Sequence, residues 1–419
     1  MTLDPVHFDG IAELADRVDY EGEERDHREL AETVWNDFLD PLVDANGTRI
    51  LEPLDELRRR CVDVEDVALE ADRFPTMHGL DSGSINPKVF KNGLVVDVAH
   101  AAMSATPSDL DLHDSRTVVK AVHTNDTSRD FDTEWERYGD GEASERRIVH
   151  APRCDQYEED VVHALALYVA ESRHALEHAD DVADFLLLDG PIYPKGLLRW
   201  RDRGTELPAL FDDSAAVHAV LDNYVRLVER FVERDVPLAG FVKNISAKAV
   251  VRALRDKEML APWAHDAGFF SQVLERRERV GDEYERVTDD LTLTNWFRSR
   301  AGSDAFFGSS EADRYLDRDL DRDRYDVTFC MVYDPRRDLV YKIEAPHAFT
   351  RDEACRRKIE RQVLKAIAVE RGPPTVIAKA DELARISHDS TRSLLDRFEK
   401  SFDSELDENY NAVRWGRDY

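Results

Sequence analysis

The sequence predicts an α/β chain: a large mixed β-sheet flanked by helices, preceded by a helical extension and interrupted in its second half by an irregular insertion. Three observations carry this expectation. Strand-like runs follow one another between residues 77 and 123. A long amphipathic helix comes next, with Val161, Leu165, Val169 and Leu176 marking one apolar side. Soon after it stands Phe185-Leu186-Leu187-Leu188-Asp189, apolar on both faces as a strand in the middle of a sheet must be.

Each element has its own reason. Residues 1–72 are expected to be a helical segment: Ile11 and Leu14, then Leu30 and Val34, recur at helical spacing with acidic residues between, and Leu54-Asp55-Glu56-Leu57 continues the pattern. Met77 to Asp81 reads as a short strand closed by the turn Ser82-Gly83-Ser84. Runs at 93–103 and 117–123 follow through turn-rich connections, which predicts an antiparallel meander. The stretch 124–147 is charged and is expected to be a loop, and 157–179 is the long helix. A three-strand meander, a crossover helix and a central parallel strand are the opening of an RNase H-like fold. That layout sets the ends of the first and fourth strands side by side.

The second half keeps alternating. A helix at 214–234 leads to a strand at 238–243 and a helix at 246–256. An insertion at about 260–325, rich in Asp and Arg, has no regular pattern. Strands at 326–333 and 338–345 are joined across Asp334-Pro335-Arg336-Arg337, a hairpin turn by composition. Helices at 351–370 and 380–401 end the series. With no internal repeat or linker, residues 73–405 read as one elaborated domain.

Composition narrows the setting. The 419 residues carry 57 basic and 88 acidic side chains, a formal charge of −31, and of the basic residues 45 are Arg and only 12 Lys. An acidic, Lys-poor surface on a chain that is 42% hydrophobic points to a halophilic protein, made for a cytoplasm of molar salt. There the Debye length is about 3 Å and self-repulsion is screened. The charge therefore does not exclude a nucleic-acid ligand, although counterion release contributes little under such conditions. Cys61, Cys154, Cys330 and Cys355 are far apart, which excludes a zinc ribbon and a disulfide framework. No run of 18 apolar residues and no leader pattern is present, so a cytoplasmic protein without a membrane span is expected.

The candidate chemistry is carried by acids at strand ends. Asp81 precedes Ser-Gly-Ser, where backbone can approach a ligand closely. Asp189 follows three leucines and is costly to leave unpaired if buried. Glu171 lies on an otherwise apolar stretch of the long helix. Each has a plain alternative, as a turn cap, a strand-end Asp or a surface Glu. Their predicted convergence in one sheet favours a divalent-cation site, because carboxylate oxygens suit Mg²⁺ or Mn²⁺. Two such ions can activate water and stabilise the leaving oxygen of a phosphodiester, which makes a metal-dependent nuclease the leading function. Lys243, at the end of an apolar strand, is a candidate phosphate contact. Asp97 is a weaker candidate, His347 and His388 read as structural, and Arg298-Ser299-Arg300 beside Trp296 and Phe297 could guide or stack on a strand of DNA. The chain has neither a histidine pair of zinc-hydrolase spacing nor a P-loop.

Taken together, these residues resemble the NurA family of DNA-end-processing nucleases over about 76–390: the strand-end Asp81 with Ser-Gly-Ser, Glu171 some 18 residues before Asp189, and the strand Gly240-Phe241-Val242-Lys243. The resemblance implies an RNase H-like fold, Mn²⁺ as cofactor with Mg²⁺ as an alternative, and a homodimer acting on DNA with a HerA-type hexameric ATPase in the resection of double-strand breaks. It implies 5′-to-3′ exonuclease activity, with single-strand endonuclease activity beside it. By the same resemblance Asp81, Glu171 and Asp189 are metal ligands and Lys243 a phosphate contact. The chain departs from the family where a Tyr and an Ala-His pair are usual: Pro373 stands for the Tyr and Asp381 for the His, so Asp381 becomes an oxygen ligand.

Two other classes fit part of the pattern. A dimeric DNA clamp or adaptor that kept the fold but lost cleavage would share every element. An actin-like ATPase or sugar kinase also opens on a strand, an Asp and a Gly/Ser turn, but Asp189-Gly190-Pro191 and Gly372-Pro373 are poor matches to its later nucleotide-binding turns.

Overall fold

The computed structural model of the chain describes residues 4–15, 24–281 and 283–407. Eight strands position the site: β1 (Met77–Ser84), β2 (Val95–Thr106), β3 (Thr117–His123), β4 (Ser144–His150), β5 (Leu186–Asp189), β6 (Leu238–Val242), β7 (Val327–Asp334) and β8 (Leu339–Pro346). Their order across the sheet is β4-β3-β2-β1-β5-β6-β8-β7. The strands β1, β2 and β3 form the antiparallel meander. On its other edge β1 pairs in parallel with β5, and β5 pairs in parallel with β6. The chain is thus a mixed α/β protein with a large mixed sheet flanked by helices.

The helices are α1 (Glu158–Glu177), α2 (Ala215–Glu233), α3 (Glu353–Glu370), α4 (Thr375–Ala384) and α5 (His388–Phe402). Glu158, Glu159 and Asp160 sit in the first turn of α1, where acidic side chains favour the positive end of the helix dipole. Ser214 caps α2 and Asp352 caps α3 by accepting from backbone N–H groups. Val161, Leu165 and Val169 of α1 are buried with Leu186, Leu187 and Leu188 of β5 in the main core. Helix α1 packs on β1, β2 and β3, and α2 packs on α1. Helix α4 lies on β1, β2 and β5.

Several segments differ from the sequence expectation. Within 1–72, helices Pro5–Ala15 and Glu24–Phe38 form, but Leu42–Val43, Arg49–Pro53 and Arg59–Asp63 are strands. The apolar spacing of Leu51, Leu54 and Leu57 suits a helix, yet Pro53 interrupts it and the strand partners stand far downstream: Arg49–Pro53 pairs with Phe297–Ser299, and Arg59–Asp63 with Asp290–Thr294. Those partners lie in the region read as irregular, which also holds helix Asp266–Leu274 and the hairpin Arg277–Val280/Glu283–Arg286. Strand β4 falls partly in the stretch read as a charged loop. It pairs in parallel with β3, and its Glu145 is satisfied by Arg173 of α1, so its charge hides its strand character. The C-terminal helical stretch is two helices, α4 and α5, broken at 385–387.

Candidate metal centre

The pairing of β1 with β5 dictates the first half of the site. Leu80 lies opposite Leu188, so the next residue of each strand, Asp81 and Asp189, emerges side by side. Asp189 ends β5, but β1 runs on through Ser82-Gly83-Ser84, paired with β2, where the sequence predicts a turn. Side chains alternate along a strand, so Gly79, Asp81 and Gly83 share one face of β1. Helix α4 covers that face. A Cβ on Gly79 would collide with the carbonyl oxygen of Val376, and one on Gly83 with that of Ala384. The two glycines let the helix backbone settle onto the strand at both ends of α4. Between those contacts α4 carries Asp381. Oxygens of Asp81, Asp189 and Asp381 lie within 4.8 Å of one another, and this is the group among the described residues that could hold a metal ion.

Electrostatics mark the cluster as strained without a cation. Burial, then the charges of Asp189, Glu171 and Asp381, push the Asp81 carboxyl up to about 8, against the pull of the Ser82 N–H, which donates to its Oδ1 at 2.8 Å. Burial likewise raises Asp189, whose carboxylate is steadied by Lys243. Lys243 Nζ donates to Asp189 Oδ2 at 2.7 Å. Burial alone would pull Lys243 down, but Asp189, Asp81 and Asp381 outweigh it and hold the ammonium above its ordinary value. Three acids facing one cationic side chain are a donor set of hard oxygens that fits a divalent ion such as Mn²⁺ or Mg²⁺.

Glu171 reaches β1 from the opposite side. Ser82 points away from Asp81 by strand alternation, and its Oγ donates to Glu171 Oε2 at 3.0 Å. Tyr224 of α2, itself buried, donates its hydroxyl to Glu171 Oε1 at 2.8 Å. Burial raises the Glu171 carboxyl while these two bonds lower it. The structure therefore gathers Asp81, Asp189, Asp381 and Lys243 directly, and holds Glu171 beside them on its own hydrogen bonds. Tyr224 carried no signal in the sequence, because it reads as one more member of the apolar stripe of α2.

Other expected residues fall elsewhere. Asp97 is fully buried on β2 and bonded to His163 Nδ1 at 2.8 Å. His347 is half-buried, with burial and Arg298 pushing it down to about 4. Trp296 and Phe297 are core residues, Trp296 Nε1 donates to Glu360, and Arg298 and Arg300 are paired with Asp326. That segment is thus packed structure, and the expectation that it guides or stacks on DNA is corrected. No described helix is long and apolar enough to cross a membrane.

Comparison with known proteins bears on the same residues. The family model for the NurA domain matches residues 75–386. The solved structure of the NurA nuclease from Sulfolobus solfataricus is similar at 11% identity, covering 96% of this chain and 98% of that one, with a TM-score of 0.47. A NurA structure with manganese is 9% identical over 80% of this chain and 92% of that one (TM-score 0.43), and one bound to dAMP and manganese is 10% identical over 80% and 89% (TM-score 0.40). No curated protein matches the chain. Because the family match covers well over half of the chain, from the strand of Asp81 to the helix of Asp381, the chain belongs to the NurA family.

Proposed function

We propose that this chain is a metal-dependent deoxyribonuclease of RNase H-like fold. The observation that carries the reading is the convergence of Asp81, Asp189 and Asp381 within 4.8 Å, with Lys243 against Asp189. The fold assignment is supported by the strand order, in which β1 lies between β2 of the meander and the parallel pair β5 and β6. Residues 1–72 are proposed as an N-terminal segment and 73–405 as the nuclease domain, with 260–325 inserted.

Asp81, Asp189 and Asp381 would hold the cation, and Glu171 would complete the shell from across β1. Mn²⁺ is the proposed cofactor and Mg²⁺ the alternative, since carboxylate oxygens suit both. When bound, the ion supplies Lewis-acid polarisation of water and of the phosphoryl oxygens. The chain's own residues do the rest. Lys243, close enough to pair with Asp189, can turn its ammonium to a non-bridging phosphate oxygen and offset charge that develops there. Tyr224 and Ser82 fix the orientation of Glu171. The wider assignment is resection of double-strand breaks, with 5′-to-3′ exonuclease and single-strand endonuclease activity, as a homodimer partnered by a HerA-type ATPase in a halophile's cytoplasm.

The test is digestion of end-labelled linear DNA in molar KCl with Mn²⁺, comparing wild type with Asp81→Ala. Cleavage by the wild type and none by the variant supports the reading. DNA binding without cleavage by either, with or without a hexameric ATPase, replaces it by the clamp reading.

A further inference from the structure

The contact between α1 and β1 continues past Glu171. Ser82 and Ser84 lie on the same face of β1, about 6.6 Å apart along the strand. Ser82 bonds Glu171, and Ser84 Oγ lies 3.4 Å from Nδ1 of His163, two turns earlier on the same helix. The same Nδ1 is 2.8 Å from Oδ2 of Asp97, a carboxylate with no exposure to solvent whose Oδ1 has no hydrogen-bond partner. A buried carboxylate facing one imidazole favours the protonated ring. Consistent with this, the bond to Asp97 raises His163 above its ordinary value, with Asp160 of its own helix adding to the effect and burial opposing it. The ring is not shut in: the side chain is 39% exposed. With Nδ1 committed to Asp97, Nε2 points away from it. Asn86, just past the strand, sits beside Ser84, whose Oγ accepts from the Asn86 N–H at 3.2 Å.

We propose that His163, backed by Asp97 and flanked by Ser84 and Asn86, is a phosphate-binding subsite for the nucleic-acid strand, on the α1 side of β1 and in line with Glu171. The bland alternative is a pair that only ties α1 to β2. Two features weigh against it. A fully buried carboxylate is a costly tie where two apolar residues would serve, and the ring is presented at the surface in line with Glu171. In a chain of this acidity a cation fixed by a buried anion is also one that exposed carboxylates do not readily capture. The subsite deepens the nuclease reading and rests on it for the kind of ligand, though phosphate binding can be measured without cleavage.

The experiment is fluorescence anisotropy with a short labelled single-stranded oligodeoxynucleotide in Ca²⁺, using wild type, His163→Gln and His163→Lys. His163→Gln is expected to weaken binding about tenfold, the scale of one charged hydrogen bond, and His163→Lys to recover most of it. Since a change at His163 can disturb its packing on Asp97, the strand is altered as well: methylphosphonates are placed singly along the oligonucleotide. Wild type should lose about tenfold at one position, and His163→Gln should be indifferent there. Equal affinity of wild type and His163→Gln, or equal sensitivity of both at every position, overturns the subsite, as does failure of the wild type to bind. Cleavage in Mn²⁺ is scored separately, so a protein that binds through His163 but never cuts refutes the nuclease reading and leaves the subsite standing.

Discussion

Gly83 lies directly beneath Ala384, so close that a Cβ on the glycine would strike the carbonyl oxygen of the alanine. With Gly79 under Val376, this contact sets the height of α4 above β1 and therefore where Asp381 meets Asp81. Gly83→Ala should lift the C-terminal end of α4. The expected cost is about 1–3 kcal/mol of stability, the usual range for overpacking, with Mn²⁺ affinity falling by about tenfold or more. Gly372→Ala meets only a backbone oxygen at 3.9 Å and is the matched control, expected to change neither. Thermal unfolding and Mn²⁺ titration of both variants check this.

Tyr224 acts on the site only through Glu171, to which it donates at 2.8 Å. Tyr224→Phe keeps the packing of the ring and removes the donor. The expected loss is about 1–3 kcal/mol of stability, as for a bond to a charged group in a buried place. Cleavage should slow while DNA affinity stays unchanged. A variant that loses affinity and rate together would show that Tyr224 supports the fold of the whole site rather than the orientation of one carboxylate.

Lys243 donates to Asp189 Oδ2, so it would compete with a cation held on that carboxylate. Lys243→Met should therefore bind Mn²⁺ at least as tightly as wild type and yet cleave about a hundredfold to a thousandfold more slowly, the range for removing one charge-stabilising donor. Parallel loss of metal affinity and rate would contradict a phosphate role and make Lys243 a structural partner of Asp189.

The pH dependence has a definite sign. Asp81 is pushed up to about 8 in the folded chain, above its ordinary value near 3.8, so the folded state keeps a proton that the unfolded state releases. Stability from this group is fully present below about pH 4 and is lost as pH rises towards about 8. Without added metal the melting temperature should include a component that falls from about pH 4 to about pH 8, and Asp81→Asn should remove it. Mn²⁺ binding should strengthen over the same window and release a proton, detectable as a buffer-dependent binding enthalpy.

Asp81 and Asp189 stand out in the sequence because an acid after an apolar strand-like run and before Ser, Gly or Pro is a local signal, although Ser82-Gly83-Ser84 is strand rather than turn. Asp81 and Asp189 could be paired once the three-strand meander and the crossover helix were recognised, since that topology sets the strand of Asp81 beside the strand of Asp189. Asp381 was legible only through the family resemblance, because nothing local distinguishes it from other helical acids of an acidic chain. Tyr224 and His163 were hidden for the opposite reason: their roles exist only where α2, α1 and the sheet meet, and one-dimensional periodicity sees the first as core and the second as surface. The strands at 49–53 and 59–63 were missed because their partners are far away in sequence, and the helical spacing of Leu51, Leu54 and Leu57 is the stronger local pattern.

The most direct test of the central claim is calorimetric titration of Mn²⁺ into wild type, Asp81→Asn, Asp189→Asn and Asp381→Asn in molar KCl. The expected result is binding by the wild type and a loss of about tenfold or more in each variant, because each removes one charged oxygen ligand from a single cluster. Wild-type affinity in the Asp189 and Asp381 variants, or no binding by the wild type, would contradict the metal centre.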